Sequence, residues 1–208
     1  MDHDSIVDDP KSVAALARAA ALIRGGGLVA YPTDTVYGLG CDPRNPAAVV
    51  RLFSAKGRDA KRASPLIGAS IEQLSAAVHF TATARRLADL FWPGPLSLVM
   101  MARPDISRLV LGGFDTAAVR VPADATARRL AEAAGFVITA TSANISGQPP
   151  VARASLISST LASQLDFILD GGTLAGGAVS TIVDVTGDAP QLVRAGAIAW
   201  DRVLESLR

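Results

Sequence analysis

Four basic side chains fall within seven residues, Lys56, Arg58, Lys61 and Arg62, relieved only by Asp59. Arginine offers a planar fork of donors and lysine a mobile point charge, a combination suited to a triphosphate. The cluster would equally serve as a solvated charged loop just past a helix end, where the macrodipole favours cations. Two further stretches carry reactive or hydrogen-bonding groups. Residues 32–35 read PTDT and residues 141–147 read TSANISG, and in both an apolar run resembling a buried strand empties into small polar side chains. Hydroxyls and amides hold phosphate or ribose oxygens without adding charge, while each stretch also reads as an ordinary polar turn. Arg120 interrupts the apolar strand TAAVRV. A guanidinium there needs an anion, either an internal carboxylate or one carried by a ligand.

No Ser-His-Asp, Cys-His or paired-carboxylate arrangement stands in these loops, so positioning and charge neutralisation would have to carry any reaction. Asp34 has neither a second carboxylate nor a histidine beside it and receives no catalytic role. The triple glycine at 25–27 lacks a following Lys-Ser/Thr and precedes a strand, so it reads as a helix stop rather than a phosphate loop. Gly38 and Gly40 allow close approach by a ligand or a neighbouring strand.

The elements that must position these groups alternate along the chain. Helices are expected from Pro10 or Ser12 to about Ile23, with Val13, Leu16, Ala20 and Ile23 on one face, then after Asp42 or Asn45 as far as Lys56, after Ser70, over 82–91, 125–134, 154–165 and 197–207. Strands are expected at 28–31, 64–67, 96–101, 116–121, 136–138, 167–170, 180–185 and 191–194. No solenoid repeat, low-complexity tract or linker divides the chain. Intermingled strands and helices argue an α/β fold with a largely buried mixed sheet, and such sheets place ligands in the loops at strand ends.

Composition narrows the classes. Of 208 residues half are apolar, enough for a sizeable core, and the formal net charge of +1 supplies no global argument for nucleic acid or a membrane surface. The single cysteine, Cys41, and two scattered histidines, His3 and His79, make a protein-built metal site improbable. The N-terminus is acidic where a signal peptide is basic, and no apolar run approaches the roughly 18 residues a spanning helix needs. A soluble cytoplasmic protein is expected, with a flexible lead-in over 1–10 and one domain over 11–208.

Seven strings, PTDTVYGLG, AKGR, WPGPLSLVM, VRVP, TSANISG, STIVD and LVRAG, occur in this order between about Gly25 and Gly196. In them the chain resembles the YrdC-like threonylcarbamoyl-AMP synthases, in their short form without an extra C-terminal domain. The resemblance implies a twisted mixed α/β sheet around a concave cavity. It also implies a reaction in which L-threonine, bicarbonate and ATP give threonylcarbamoyl-adenylate and pyrophosphate, with Mg²⁺ on the polyphosphate. The adenylate would then pass to tRNA modification proteins that act at adenosine 37 of tRNA. Position by position, the resemblance assigns Lys56, Arg58, Thr116, Ser142, Asn144 and Arg194 to ATP, with Lys56 and Arg58 catalytic, and Thr35, Arg120 and Ser180 to L-threonine. Two positions depart from the family pattern: Ser64 stands where an Asn is usual and Ala69 where a His is usual, after a loop about two residues longer. Two other classes fit the same fold: a module that binds tRNA or double-stranded RNA without chemistry, marked by salt-sensitive affinity and no ATP consumption, and a carbamoyl-adenylate-forming relative, marked by dependence on carbamoyl phosphate.

Overall fold

The computed structural model describes residues 7–8, 12–59 and 61–208. Most of the lead-in expected over 1–10 lies outside the described residues; Val7–Asp8, which are described, form a short strand, β1. The helix α1 (Val13–Arg24) turns its small and aliphatic side chains inward and ends at Gly25 and Gly26, the latter at φ 84. The triple glycine is therefore a chain reversal, with Gly27 N donating to Leu22 O. Val13, expected on the buried face, is exposed in the first turn of the helix.

The strands β2 (Val29–Tyr31) and β3 (Gly38–Gly40) pair antiparallel, and a Cβ on either glycine would come within 3.1 Å of the Tyr31 ring. The glycines thus admit a neighbouring side chain and not a ligand. α2 (Pro46–Lys56) is capped by Asn45, whose side chain accepts from Ala47 N and Ala48 N, while Asp42 pairs instead with Arg44. Then follow β4 (Leu66–Ile67), α3 (Ile71–Ser75), α4 (Ala82–Phe91), β5 (Leu96–Met101), β6 (Thr116–Arg120), α5 (Ala125–Ala134), β7 (Ile138–Thr139) and β8 (Thr141–Ser142). The helix expected over 154–165 is broken: a single 3-10 turn at Ala154–Leu156 is followed by α6 (Ser159–Ala162), which Ser158 caps through Leu161 N. β9 (Phe167–Leu169), β10 (Thr181–Asp184), β11 (Gln191–Arg194) and α7 (Trp200–Glu205) complete the chain.

The fold is mixed α/β as expected, but the strands divide between two sheets. One runs β1-β9-β2-β3-β8 and the other β11-β10-β5-β6-β4-β7, each with parallel and antiparallel pairs. The chain crosses between them within five residues, because β7 belongs to the six-stranded sheet and β8 to the five-stranded one. Thr139 secures this crossing. Its buried hydroxyl accepts from Cys41 N at 3.0 Å and donates to Leu39 O at 2.9 Å, and its carbonyl accepts from the Tyr31 hydroxyl at 2.8 Å. A buried hydroxyl that satisfies both its roles costs little to desolvate and fixes the geometry around it. No helix among the described residues is long and apolar enough to cross a membrane.

Candidate active site at the seam of the two sheets

α2 delivers Lys56 as its last helical residue, and Gly57, at φ 58, reverses the chain so that Arg58 follows on the same side. This left-handed cap is the one place in the segment where glycine is required by conformation. Lys56 is 2% exposed, and its Nζ donates to Ser142 O and, at 2.7 Å, to Asn144 O; in return Lys56 O accepts from Ser146 N at 2.8 Å. Arg58 donates to Thr141 Oγ1 at 2.8 Å and to Ala63 O at 2.6 Å. The helix end and the TSAN segment are therefore one assembly, in which Lys56 and Arg58 form no ion pair with an acidic residue among the described residues. Burial, followed by the charge of Arg58, pulls the Lys56 ammonium down to about 8. Burial, followed by Arg62, lowers the Arg58 guanidinium. Three buried polar atoms lack a partner in the described structure, Arg58 Nε, Ser64 Oγ and Asn144 Oδ1, and all three belong to this region or the segment that adjoins it.

The six-stranded sheet supplies the other side. Along β6 exposure alternates, with Thr116, Ala118 and Arg120 on the open face and Ala117 and Val119 in the core. Thr116 stands opposite Met101 at the start of the strand, about 13 Å along β6 from Arg120. Ser180, at the entrance to β10, is held by the buried Ser97 hydroxyl at 3.0 Å and by Arg194, which donates to Ser180 O at 2.7 Å and to Ser180 Oγ at 3.0 Å. Burial, followed by the nearby charge of Arg120, lowers the Arg194 guanidinium. The expected nucleotide contact Arg194 and the expected amino-acid contact Ser180 thus touch each other.

Arg120 donates from Nη1 to Asp34 Oδ2 at 2.8 Å, with side-chain exposures of 14% and 17%. Of the two anions open to Arg120 at the sequence level, the structure supplies the internal one. Asp34 is the site residue that sequence reasoning passed over: its partner lies 86 residues away, and no local spacing signals the pairing. Thr35, next in sequence, is half-buried beside Gly177 and its side chain makes no hydrogen bond among the described residues.

The segment after β2 joins the two sides. At one end Arg120 reaches Asp34; at the other, Tyr37 O accepts from Ala143 N at 2.7 Å in the TSAN segment. The Tyr37 hydroxyl also holds Asp170, Gly171 and Gly172, and burial with the Asp170 hydrogen bond pushes its ionisation well above the ordinary tyrosine range. Burial pushes the Cys41 thiol up to about 12, so it is no nucleophile. Ser64 is buried, as a polar contact would require, whereas Ala69 only packs against the apolar cluster under α1 and α5. Among the described residues no three His, Cys, Asp or Glu side chains gather to hold a metal.

A family profile described as telomere recombination, covering Sua5, YciO and YrdC proteins, matches residues 21–196. Threonylcarbamoyl-AMP synthase of Pyrococcus abyssi is 42% identical over 186 residues, covering 89% of this chain and 55% of that protein; the Nitrosococcus oceani enzyme of the same name is 42% identical over 156 residues, 74% of this chain and 84% of its own. The crystal structure of Pyrococcus abyssi Sua5 complexed with L-threonine superposes with a TM-score of 0.87 at 40% identity, over 92% of this chain and 57% of that one. The chain spans about half the length of its Pyrococcus abyssi relative.

Proposed function

The chain belongs to the Sua5/YciO/YrdC family, and from that premise and the seam geometry we propose that it is an L-threonylcarbamoyladenylate synthase acting in the cytoplasm. In this reading ATP, with the Mg²⁺ that travels on its polyphosphate, lies against Lys56, Arg58, Ser142 and Asn144, with Thr116 and Arg194 as further contacts. L-threonine lies against Thr35, Arg120 and Ser180. The threonine amine and bicarbonate form N-carboxythreonine; its carboxylate oxygen attacks the α-phosphorus, and the bond to the β-phosphate oxygen breaks to release pyrophosphate. Preorganised cations matter most where negative charge develops in such a displacement. Lys56 and Arg58 suit that role because the fold holds them in place with neutral acceptors and leaves their charge uncompensated.

The observation that carries the reading is the 33–37 segment, bonded to Arg120 through Asp34 and to the TSAN segment through Tyr37. Through it the Arg120–Asp34 pair and the assembly that holds Lys56 share one connecting segment, which supports assigning the amino acid to the first and the polyphosphate to the second. The family relationship supplies the adenylate chemistry, and tRNA modification proteins that consume the adenylate are the implied partners. Incubation with ATP, bicarbonate and each amino acid in turn tests the proposal. Pyrophosphate release that requires threonine, and that falls about a hundredfold in Lys56→Ala or Arg58→Ala, is the expected result; RNA binding without ATP consumption, or dependence on carbamoyl phosphate, selects a different function.

A further inference from the structure

We infer that Asp34 is a substrate-binding residue: with Arg120 it forms a charge pair shaped for the α-amino-acid zwitterion, Arg120 taking the carboxylate and Asp34 the α-ammonium. The inference rests on the proposal that the site binds an amino acid and names how its amine is recognised. The guanidinium has five donors in a fixed fork, and among the described residues only Nη1 is engaged, by Asp34 Oδ2. The remaining Arg120 nitrogens and Asp34 Oδ1 are absent from the buried unpartnered atoms, so they keep contact with solvent. A donor edge and an acceptor oxygen therefore stand side by side. In an α-amino acid the carboxylate and ammonium are attached to the same carbon, so a carboxylate on the free edge of Arg120 brings the ammonium to Asp34 Oδ1.

Charge balance points the same way. Arg194, bonded to Ser180, stands close enough to Arg120 for their charges to act on each other, and Asp34 is the carboxylate bonded directly to Arg120. Asp124, the other acid near this end, caps α5 through Ala127 N, and burial raises its ionisation. An ammonium entering beside two guanidinium groups is repelled unless an anion meets it. Asp34 has the position and the free oxygen to do so. A counter-ion role alone makes the opposite prediction, because neutralising Asp34 would then free Arg120 to bind a carboxylate more tightly.

The test compares equilibrium binding of L-threonine and of 2,3-dihydroxybutyrate, in which a hydroxyl replaces the amine, to the full chain and to Asp34→Asn. The wild-type protein should prefer threonine by about tenfold to a hundredfold, the scale of one charged hydrogen bond, and Asp34→Asn should bring the two ligands to within about twofold while ATP affinity is retained. Tighter or equal threonine binding by Asp34→Asn, or a parallel loss for both ligands, overturns the inference. Should that variant fail to fold, the wild-type comparison still decides it: equal affinity for the two ligands means that the amine is not recognised. Absence of threonine binding by the wild-type protein removes the proposed function itself, and this inference with it, whereas threonine binding that ignores Asp34→Asn removes the inference alone.

Discussion

Lys56 and Arg58 on one side of the seam and Arg120 on the other are cations drawn partly or wholly out of water, yet among the described residues only Arg120 of the three has an acid against it. Around Lys56 and Arg58 every partner among the described residues is a carbonyl or a hydroxyl, and the three buried side-chain polar atoms that lack a partner among those residues belong to this region or the segment that adjoins it. Arg120 itself is already paired with Asp34. The difference teaches what each side is built to receive. A region of surplus positive charge and unfilled hydrogen bonds gains most from a polyanion, because the ligand supplies what the fold withholds. A balanced pair gains nothing from net charge and instead suits a ligand that is itself balanced, such as a zwitterion.

The contrast can be broken first at Lys56. Lys56→Met keeps much of the buried volume but removes the ammonium and strands the carbonyls of Ser142 and Asn144; steady-state assays should show a loss of about a hundredfold or more in threonine-dependent pyrophosphate release, and a thermal melt a lower midpoint. Next in size is Arg120→Ala, which leaves Asp34 partly buried and unpaired. Its stability cost should fall toward or below the low end of the roughly 3–5 kcal/mol seen for broken buried pairs, since both side chains keep some exposure. Threonine binding should be lost while ATP binding persists, and loss of both together would show that the two sides are not separable.

A pH series probes the same comparison more gently. In the folded protein the Lys56 ammonium titrates near 8, against an ordinary value of 10.5. The unfolded chain thus holds this proton more tightly, so stability from this group rises as pH increases from about 8 to about 10.5, while below about 8 the full cost of the buried charge is present. The activity runs the other way: kcat/KM for ATP, which needs the charged form in the free enzyme, should fall as pH rises through about 8. The smallest effect is expected for Ser64→Ala. Removing a buried hydroxyl that bonds nothing among the described residues should raise the unfolding free energy by up to about 1 kcal/mol, and a few-fold rise in KM for ATP is expected if the hydroxyl faces the nucleotide. An unchanged KM would mean that Ser64 is only filler in the longer loop.

Much of this molecule follows from local rules that its sequence states outright. Helix α5 begins after Asp124 and ends at Gly135 because a capping carboxylate and a left-handed glycine leave little choice, and β5 and β11 occupy the apolar or β-prone runs that announce them. The family strings likewise mark Lys56, Arg58, Arg120 and the TSAN segment by residue type alone. What distant contact decided is different in kind. That the strands form two sheets joined at Thr139, that Gly38 and Gly40 make room for Tyr31, and that Asp34 meets Arg120 all depend on pairs far apart in the chain. The break in the 154–165 helix is intermediate, since Ser158 is a visible cap but competes with a helical pattern of apolar residues that only packing resolves. A side chain's type and its neighbours in sequence set what it can donate or accept; whether its charge is balanced or left in surplus is set by what the fold brings to it, and at this seam that distinction separates the two halves of the site.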